Sequence, residues 1–274
     1  MHLPRSSQQV TNFIWLDQIG STNTELAARA SADPALPHFT VLATDNQVAG
    51  KGRLGRVWSA PAGTALAVSI LLKPRTPSGR PLAPEALGWM GLLAGLAMSR
   101  ACTSLLPEGT RARLKWPNDV LVNDLKVCGI LSEIVTTPDG LSLVVGTGVN
   151  VALDQNQLPV PTATSLALEG SVASIDDVLA TYLQEFERVY NVFVAAEGNV
   201  ETSGLLAEVI EACDTLGRSV RVELPSGDKP VGTATTIDPS GSLVVDLGSG
   251  LAPLVVAVGD VTHLRVLMKD APSN

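Results

Sequence analysis

Residues 50–56 read Gly-Lys-Gly-Arg-Leu-Gly-Arg and form the densest chemical feature of a chain whose net charge is −8. Glycines let a backbone approach an anion closely and present N–H groups to it, while cations neutralise its charge. The stretch matches the dinucleotide-binding pattern G-x-G-x-x-G, but that fold needs a helix directly after the pattern. Here Trp58 and a predicted strand over 64–72 follow instead. The stretch is therefore either an anion-binding loop of another fold or a solvated hairpin loop.

Two other segments carry polar residues that suit a binding site. Residues 113–119 read Arg-Leu-Lys-Trp-Pro-Asn-Asp and bring a cation, an amide and a carboxylate to a Trp-Pro turn. Residues 21–23, Ser-Thr-Asn, open a predicted helix in which Thr22 and Glu25 have the spacing of a capping box. Taken alone, each segment is also explained without a ligand, as a turn with a core tryptophan or as a helix cap.

Composition excludes several classes of function. The 274 residues include 27 acidic and 19 basic ones, so a broad nucleic-acid-binding surface is not expected. The three cysteines lie far apart without a CxxC pair, which favours a reducing compartment and indicates neither a zinc site nor a disulfide framework. The most apolar stretch, 87–98, is too short to span a membrane and is predicted to be a buried helix. With no signal peptide at the start, we expect a cytoplasmic protein with no membrane partner.

The order of predicted elements indicates an α+β domain followed by a β module. An amphipathic helix is predicted over 174–193, where Ser174 and Asp177 form a capping box. From about residue 216 the chain consists of short β-rich runs separated by Gly, Pro, Asp and Ser, typical of a small barrel or sandwich. The predicted strands cover 13–16, 39–43, 64–72, 113–116, 120–122, 127–135, 141–146, 219–224, 231–237, 243–247 and 254–258.

Taken together and in order, the motifs resemble those of the biotin protein ligases. The catalytic motifs are Ser21-Thr22-Asn23, Gln47-x-x-Gly50-Lys51-Gly52-Arg53-x-Gly55-Arg56-x-Trp58, Lys115-Trp116-Pro117-Asn118-Asp119, Lys126-x-x-Gly129-Ile130-Leu131-x-Glu133 and Gly146-x-Gly148-x-Asn150. The C-terminal motifs are Gly217-Arg218-x-Val220, Gly232-x-Ala234, Gly241-x-Leu243 and Gly259-Asp260-Val261. The resemblance spans residues 12–267.

The resemblance implies a fold and a domain organisation. The fold is α+β, with a class II aminoacyl-tRNA synthetase-like catalytic domain over 12–214 and a small SH3-like β-barrel over 215–270. Residues 1–11 are expected to be a flexible N-terminus. Some family members carry a DNA-binding helix-turn-helix first, and eleven residues are too few for one, so a monofunctional ligase is expected.

The resemblance also implies an activity, with ATP and Mg²⁺ as cofactors. Biotin and MgATP give biotinyl-5′-AMP and pyrophosphate, and a lysine of a biotin carboxyl carrier domain then attacks the adenylate. In the first step an anionic carboxylate meets an anionic phosphate, so cations must offset both charges. The oligomeric state and the identity of any metal ligands are left open.

Individual roles are carried over by the same resemblance. The residues expected to bind biotin are Ser21, Thr22, Asn23, Gln47, Lys51, Gly52, Arg53, Lys126 and Gly129. Those expected to bind ATP are Arg56, Trp58, Lys115, Asn118 and Asn150. The expected catalytic residues are Arg53, Lys115, Lys126 and Asp119, of which Asp119 orients the incoming amine or takes its proton.

One departure and two alternatives accompany this interpretation. The family loop usually begins Gly-Arg-Gly-Arg, and Lys51 keeps the charge of that first arginine but not its bidentate geometry. The alternatives are a lipoate-protein ligase of related fold and a non-catalytic biotin-binding regulator. We also expect the glycine-rich loop over 48–57 to be mobile when empty and to order over the adenylate, which keeps water out.

Overall fold

The computed structural model describes residues 3–224, 226–248, 250–257 and 263–266. Over these ranges the chain has the predicted α+β architecture, with a large sheet covered by helices and a smaller curled antiparallel sheet that follows it. The helices are α1 (Pro4–Ser7), α2 (Thr22–Ala32), α3 (Pro84–Leu87), α4 (Met90–Leu105), α5 (Ile175–Ala195) and α6 (Leu205–Ala212). The strands are β1 (Phe13–Trp15), β2 (Thr40–Thr44), β3 (Gly50–Lys51), β4 (Val57–Trp58), β5 (Ala65–Leu72), β6 (Ala112–Lys115), β7 (Asp119–Val122), β8 (Leu125–Thr137), β9 (Gly140–Asn150), β10 (Ser219–Glu223), β11 (Val231–Ile237), β12 (Leu243–Asp246), β13 (Leu254–Val256) and β14 (His263–Val266).

The large sheet has seven strands in the order β1-β2-β5-β9-β8-β7-β6. Strand β1 pairs with β2 in parallel, and all other neighbours in this sheet are antiparallel. Every residue of β2 and β5 is buried, because α2 packs on one face of the sheet and α4 and α5 pack on the other. Strands covered on both faces are expected to read as continuous apolar runs, which explains the sequence of β5.

Side-chain alternation along the strands separates two cores. Val41, Ile70 and Val145 point to the α4 and α5 side and belong to the main core. Leu42, Leu71 and Val144 point to the other side and form a smaller core with α2. Successive strand residues point to opposite faces of a sheet, so the two cores follow directly from the sequence of each strand.

The long helices confirm the predictions made from their patterns. Helix α4 is apolar around most of its circumference and is buried, although it begins and ends later than the predicted range of 87–98. In α5 the Ser174 hydroxyl accepts from the Asp177 amide while the Asp177 carboxylate accepts from the Ser174 amide, as the capping box requires. None of the helices in the described part of the chain is long and apolar enough to cross a membrane.

Two local expectations differ from the structure. The cap of α2 is Ser21 rather than Thr22, and Glu25 pairs with Arg29 one turn later instead of closing a capping box. In the N-terminal stretch, expected to be flexible, residues 4–7 form helix α1, which packs on α5. The buried Asp176 carboxylate accepts from the Ser6 amide at 2.9 Å and from its hydroxyl at 2.7 Å, which gives this segment a fixed partner.

The C-terminal sheet has the strand order β13-β12-β11-β10-β14 and confirms the predicted SH3-like module. Two buried indoles of the catalytic domain donate to its β11–β12 turn: Trp89 Nε1 to the Pro239 carbonyl at 2.9 Å and Trp116 Nε1 to the Gly241 carbonyl at 3.0 Å. Trp116 is therefore a core residue, as expected if residues 113–119 form a turn with a core tryptophan. The predicted Gly259-Asp260-Val261 motif lies outside the described residues, as do residues 267–270 of the predicted module.

Candidate functional site

A cleft of about 150 Å³ lies on the face of the large sheet that carries α2. Its floor forms where the side chains of two neighbouring strands become smaller beyond the small core. On this face β9 passes from Val144 to Gly146 and Gly148, and β5 passes from Leu71 to Ser69 and Ala67. The lining consists of Ser21, Thr22, Asn23, Gln47, Lys51, Gly52, Arg53, Arg56, Val57, Trp58, Ala67, Asn118, Asp119, Lys126, Gly129, Ile130, Leu131, Gly146, Thr147 and Gly148.

One end of the cleft, which we call the amide end, consists of Ser21, Thr22, Asn23 and Gln47. These four residues are buried and uncharged. Gln47 Oε1 accepts from the Thr22 amide at 2.8 Å and from the Thr22 hydroxyl at 3.1 Å. Asn23 Nδ2 donates to the Leu131 carbonyl at 3.1 Å. Fixed donors and acceptors of this kind suit a neutral polar ring of matching pattern.

Two residues behind the lining hold the amide end in place. The Ser69 hydroxyl lies 2.6 Å from Asn23 Oδ1 and 2.8 Å from Thr22 Oγ1. The Glu133 carboxylate accepts from Asn23 Nδ2 at 2.7 Å. Because both atoms of the Asn23 amide have partners, its orientation is fixed by the protein.

Glycines at two floor positions are required by close contacts. A Cβ on Gly146 would lie 2.0 Å from Asn23 Oδ1, far closer than a Cβ atom can approach another heavy atom without a shift of one of them. A Cβ on Gly148 would lie 2.9 Å from Trp58 Cε2, so the indole covers the backbone of β9. The Gly-x-Gly pattern of β9 therefore makes room for the two side chains that line opposite parts of the cleft.

The other end, which we call the cationic end, consists of Lys51, Arg53, Arg56 and Lys126. Strands β3 and β4 form a two-stranded hairpin around a 3₁₀ turn at Arg53–Gly55, in which Leu54 and Gly55 have positive φ. Three of the four cations belong to this hairpin, and Lys51 and Arg56 are exposed. The fourth, Lys126, comes from β8.

Asn118 and Asp119 contact cations of the β3–β4 hairpin and of β8, respectively. Arg53 Nη1 donates to Asn118 Oδ1 at 3.3 Å, and Asn118 Nδ2 donates to the Ile130 carbonyl at 2.8 Å. Lys126 Nζ lies 2.5 Å from Asp119 Oδ1. Partial burial lowers the pKa of Arg53, as does neighbouring Arg56, while Asp119 opposes the shift. An anion bound here would relieve the repulsion between the two arginines.

Thirteen of the fifteen residues predicted for the site line this cleft; the other two are Lys115 and Asn150. Lys115 lies opposite Asp119 on β6, the last strand of the sheet, which places it beyond the lining. Asn150 is buried at the end of β9, where its Nδ2 donates to the Thr164 carbonyl at 2.8 Å and holds a loop.

The prediction gave no role to Ser69 or Glu133. A signal for Ser69 was present, because it is the one polar residue in the apolar run of β5. Glu133 belongs to the motif that begins at Lys126, but the motif does not show its role, since its partner Asn23 is 110 residues away in sequence.

The described residues contain no group of three or more His, Cys, Asp or Glu side chains that could hold a metal ion. Among the lining residues Asp119 alone carries a carboxylate. The donor set therefore suits a divalent ion only if other oxygen atoms, such as those of a polyphosphate, complete its coordination.

Comparisons with known proteins identify the family of the chain. A family model described as "Biotin/lipoate A/B protein ligase family" matches residues 15–150, and one described as "Biotin protein ligase C terminal domain" matches residues 215–264. The biotin--[acetyl-CoA-carboxylase] ligase of Mycobacterium tuberculosis is 36% identical over 251 residues, which cover 90% of this chain and 87% of that protein. The bifunctional ligase/repressor BirA of Escherichia coli is 28% identical over 249 residues, covering 89% of this chain and 68% of that protein.

A solved structure shares the fold across both domains. The biotin protein ligase from Aquifex aeolicus in complex with biotin and ATP superposes with a TM-score of 0.73 at 26% identity. The match covers 94% of this chain and 100% of the other. The sequence relatives, the two family models and the shared fold agree, and the chain belongs to the biotin protein ligase family.

Proposed function

We propose that this chain activates biotin with ATP to form biotinyl-5′-AMP and then transfers biotin to a lysine of a biotin carboxyl carrier domain. The observation that carries the proposal is the division of one cleft into a neutral hydrogen-bonding end and a cationic end. Biotin has the same division, with a neutral ureido ring and an anionic carboxylate. The cleft can therefore hold the ring at Thr22, Asn23 and Gln47 and direct the carboxylate toward the cations.

In the first step a biotin carboxylate oxygen attacks the α-phosphorus of ATP. The new bond joins that oxygen to phosphorus, and the bond to the bridging oxygen breaks so that pyrophosphate leaves. Arg53 and Lys126 would lie at the carboxylate and the α-phosphate, where they offset the charge of both reactants. Arg56 would meet the departing phosphates, and Trp58 and Asn118 would line the nucleotide side.

Magnesium is supplied with the substrate as MgATP. The lining offers it the carboxylate of Asp119, and phosphate oxygens would provide further ligands. We propose less direct roles for Lys115 and Asn150, since neither lines the cleft: Lys115 would meet only the outer phosphates, and Asn150 would fix the loop at Thr164.

In the second step the lysine amine of the carrier domain attacks the carbonyl carbon of the adenylate. An amide bond forms, the carbon–oxygen bond to AMP breaks, and the amine loses a proton. Asp119 would orient that amine or accept its proton, because its carboxylate lies beside Lys126 at the cationic end. An adenylate is open to hydrolysis, so the hairpin that carries Arg53 would also exclude water until the acceptor arrives.

We further propose that the acceptor is the carrier domain of a biotin-dependent carboxylase and that the reaction takes place in the cytoplasm. The chain's three cysteines are free and buried, as expected in a reducing compartment.

The experiment that tests the proposal is a matched pair of assays with the purified chain and MgATP, one with biotin and one with lipoate. Each follows pyrophosphate release and transfer of label to an apo carrier domain. Biotin-dependent release with transfer is the expected result. Release with lipoate alone would favour the related lipoate ligase activity, and biotin binding without release would favour a non-catalytic regulator.

A further inference from the structure

Arg218 connects the C-terminal module to the catalytic domain through two carboxylates. It precedes β10 directly and lies in the Gly217-Arg218 motif of the module. Its Nη2 is 2.6 Å from the Asp214 carboxylate, and its Nη1 is 2.7 Å from Asp124 Oδ1. Asp214 is four residues away in sequence, but Asp124 belongs to the β7–β8 turn of the catalytic domain. A guanidinium that contacts two carboxylates with separate nitrogens fixes their relative position.

The turn that Arg218 contacts has an unfavourable backbone conformation. Asn123 and Asp124 have φ values of 49° and 65°, and glycine is absent from both positions. Asn and Asp tolerate the left-handed region better than other side chains but still at some cost in energy. Each side chain has a partner outside the β7–β8 hairpin. Asp124 contacts Arg218, and Asn123 Nδ2 donates to the Glu169 carboxylate at 2.7 Å. Contacts from elsewhere in the molecule therefore help to hold the turn.

The turn leads directly into the cationic end of the cleft. Lys126 follows Asp124 by two residues, and its partner Asp119 begins the other strand of the same hairpin. The main chain of Lys126 is also held on its outer side, where its amide donates to the Thr162 carbonyl and its carbonyl accepts from the Thr164 amide, each at 2.8 Å. A shift of the turn would thus move Lys126, which we assign to the reacting anions, and Asp119, which we assign to the incoming amine.

We propose that Arg218 is a positioning residue for the reaction: through Asp124 it sets the β7–β8 turn and thereby the placement of Lys126 and Asp119. The C-terminal module then takes part in adenylate formation without touching the substrate. The ion pair itself adds little to stability, because Asp124 is 64% exposed and exposed pairs are weak. This inference rests on the proposed function, since it needs an anion at Lys126.

The test compares Arg218→Met, which removes both contacts, with Asp214→Asn, which removes the charge of one partner and leaves Arg218 and Asp124 in place. Asp124→Gly is a second test variant that breaks the contact from the other side, and glycine fits the left-handed backbone. We expect kcat for biotin-dependent pyrophosphate release to fall about tenfold in Arg218→Met and in Asp124→Gly, because small displacements of positioned groups are costly in rate. KM for biotin should change less than threefold, and Arg218→Lys should recover much of the rate.

A double-mutant cycle separates positioning from general destabilisation. If Arg218 acts through Lys126, Arg218→Met should cause little further loss in a Lys126→Gln background. For variants whose turnover is too slow to measure, the affinity for a non-hydrolysable biotinyl-adenylate analogue replaces the rate in the same cycle. Additive losses, an unchanged kcat in Asp124→Gly, or an equal loss in Asp214→Asn would overturn the inference. A wild-type chain that releases no pyrophosphate with biotin would overturn the proposed function as well, which distinguishes the two failures.

Discussion

The two ends of the cleft differ in how firmly the protein holds them. The amide end is buried, and Asn23 and Gln47 are held by bonds to other parts of the chain. Most of the cationic end belongs to a surface hairpin, in which Val57 is 80% exposed and Leu54 has a left-handed backbone. Recognition and catalysis would thus be divided between two parts of one site: a firmly held end that would select the ligand and an accessible end that would offset the charge of the reactants.

The largest expected effect comes from neutralising the half-buried cation of the hairpin. In Arg53→Gln the rate of biotin-dependent pyrophosphate release should fall by about 100- to 1,000-fold, the usual effect of removing one preorganised donor to a developing charge. The melting temperature should remain close to that of the wild type, because the hairpin adds little to the core. The measurement is steady-state kinetics together with thermal unfolding.

Lys51→Gln is the matched control on the same hairpin. Lys51 is exposed, so we expect its loss to reduce the rate about tenfold or less. Equal losses in the two variants would mean that the hairpin acts through its total charge and that Arg53 has no special position. Faster release of the adenylate from Arg53→Gln would support the hairpin as a barrier to water.

A smaller effect is expected from crowding the amide end. In Gly146→Ala the new methyl group would lie 2.0 Å from Asn23 Oδ1, so the Asn23 side chain or the backbone of β9 would have to move. Overpacking of this kind costs about 1–3 kcal/mol, so biotin should bind roughly 10- to 100-fold more weakly. Isothermal titration calorimetry with biotin measures the change in affinity.

Gly20→Ala provides the comparison for that variant. Gly20 precedes Ser21, and a Cβ there would meet no atom within 4 Å. We expect biotin affinity within about twofold of the wild type for Gly20→Ala. If Gly146→Ala binds biotin as tightly as Gly20→Ala does, the amide end is less rigid than its hydrogen bonds indicate.

The smallest effect expected is on the reactivity of the cysteines beneath the floor. Cys128 precedes Gly129 and points to the opposite face of β8, and burial raises its pKa well above the ordinary value. Burial also raises the pKa of Cys102 to about 12. Iodoacetamide at pH 8 should therefore alkylate neither thiol in the folded chain, while both react in urea. Rapid alkylation of Cys128 would show that the sheet beneath the cationic end opens in the folded chain.

The same thiols give a pH dependence with a definite sign. Their pKa is higher in the folded chain than in the unfolded chain, so above pH 9 the unfolded chain binds fewer protons. The free energy of unfolding should therefore decrease as the pH rises above 9. Urea denaturation at several pH values, compared with Cys102→Ala, measures this contribution.

Much of this fold could be predicted because its signals are local. The predicted strands and the Ser174 capping box each depend on neighbours in sequence, and both are confirmed. Helix α1 could not be predicted, because Ser6 is fixed by Asp176, 170 residues later. The role of Glu133 beside Asn23 could not be predicted either, because the two residues are 110 positions apart in sequence.

The sequence motifs predict which residues line the cleft better than they predict where each residue lies. The motifs identified most of the lining, but they did not show that Lys115 lies on the last strand of the sheet or that the Asn150 side chain supports a loop. Placement of this kind depends on strand order and loop packing, which a sequence motif does not encode. The module's contact through Arg218 likewise depends on a pairing across the domain boundary.

The two indole bonds to the β11–β12 turn have a consequence for sequence divergence. Trp89 and Trp116 donate to the carbonyl oxygens of Pro239 and Gly241, and a carbonyl oxygen is present whatever the side chain. Gly241 is constrained by its positive φ of 85° and by Leu92, 3.4 Å from where its Cβ would lie, and Asp238 is constrained because its carboxylate accepts from the Ser240 and Ser242 amides. These two bonds therefore depend on the backbone of the turn, so substitutions that keep its backbone conformation should leave the attachment of the module in place.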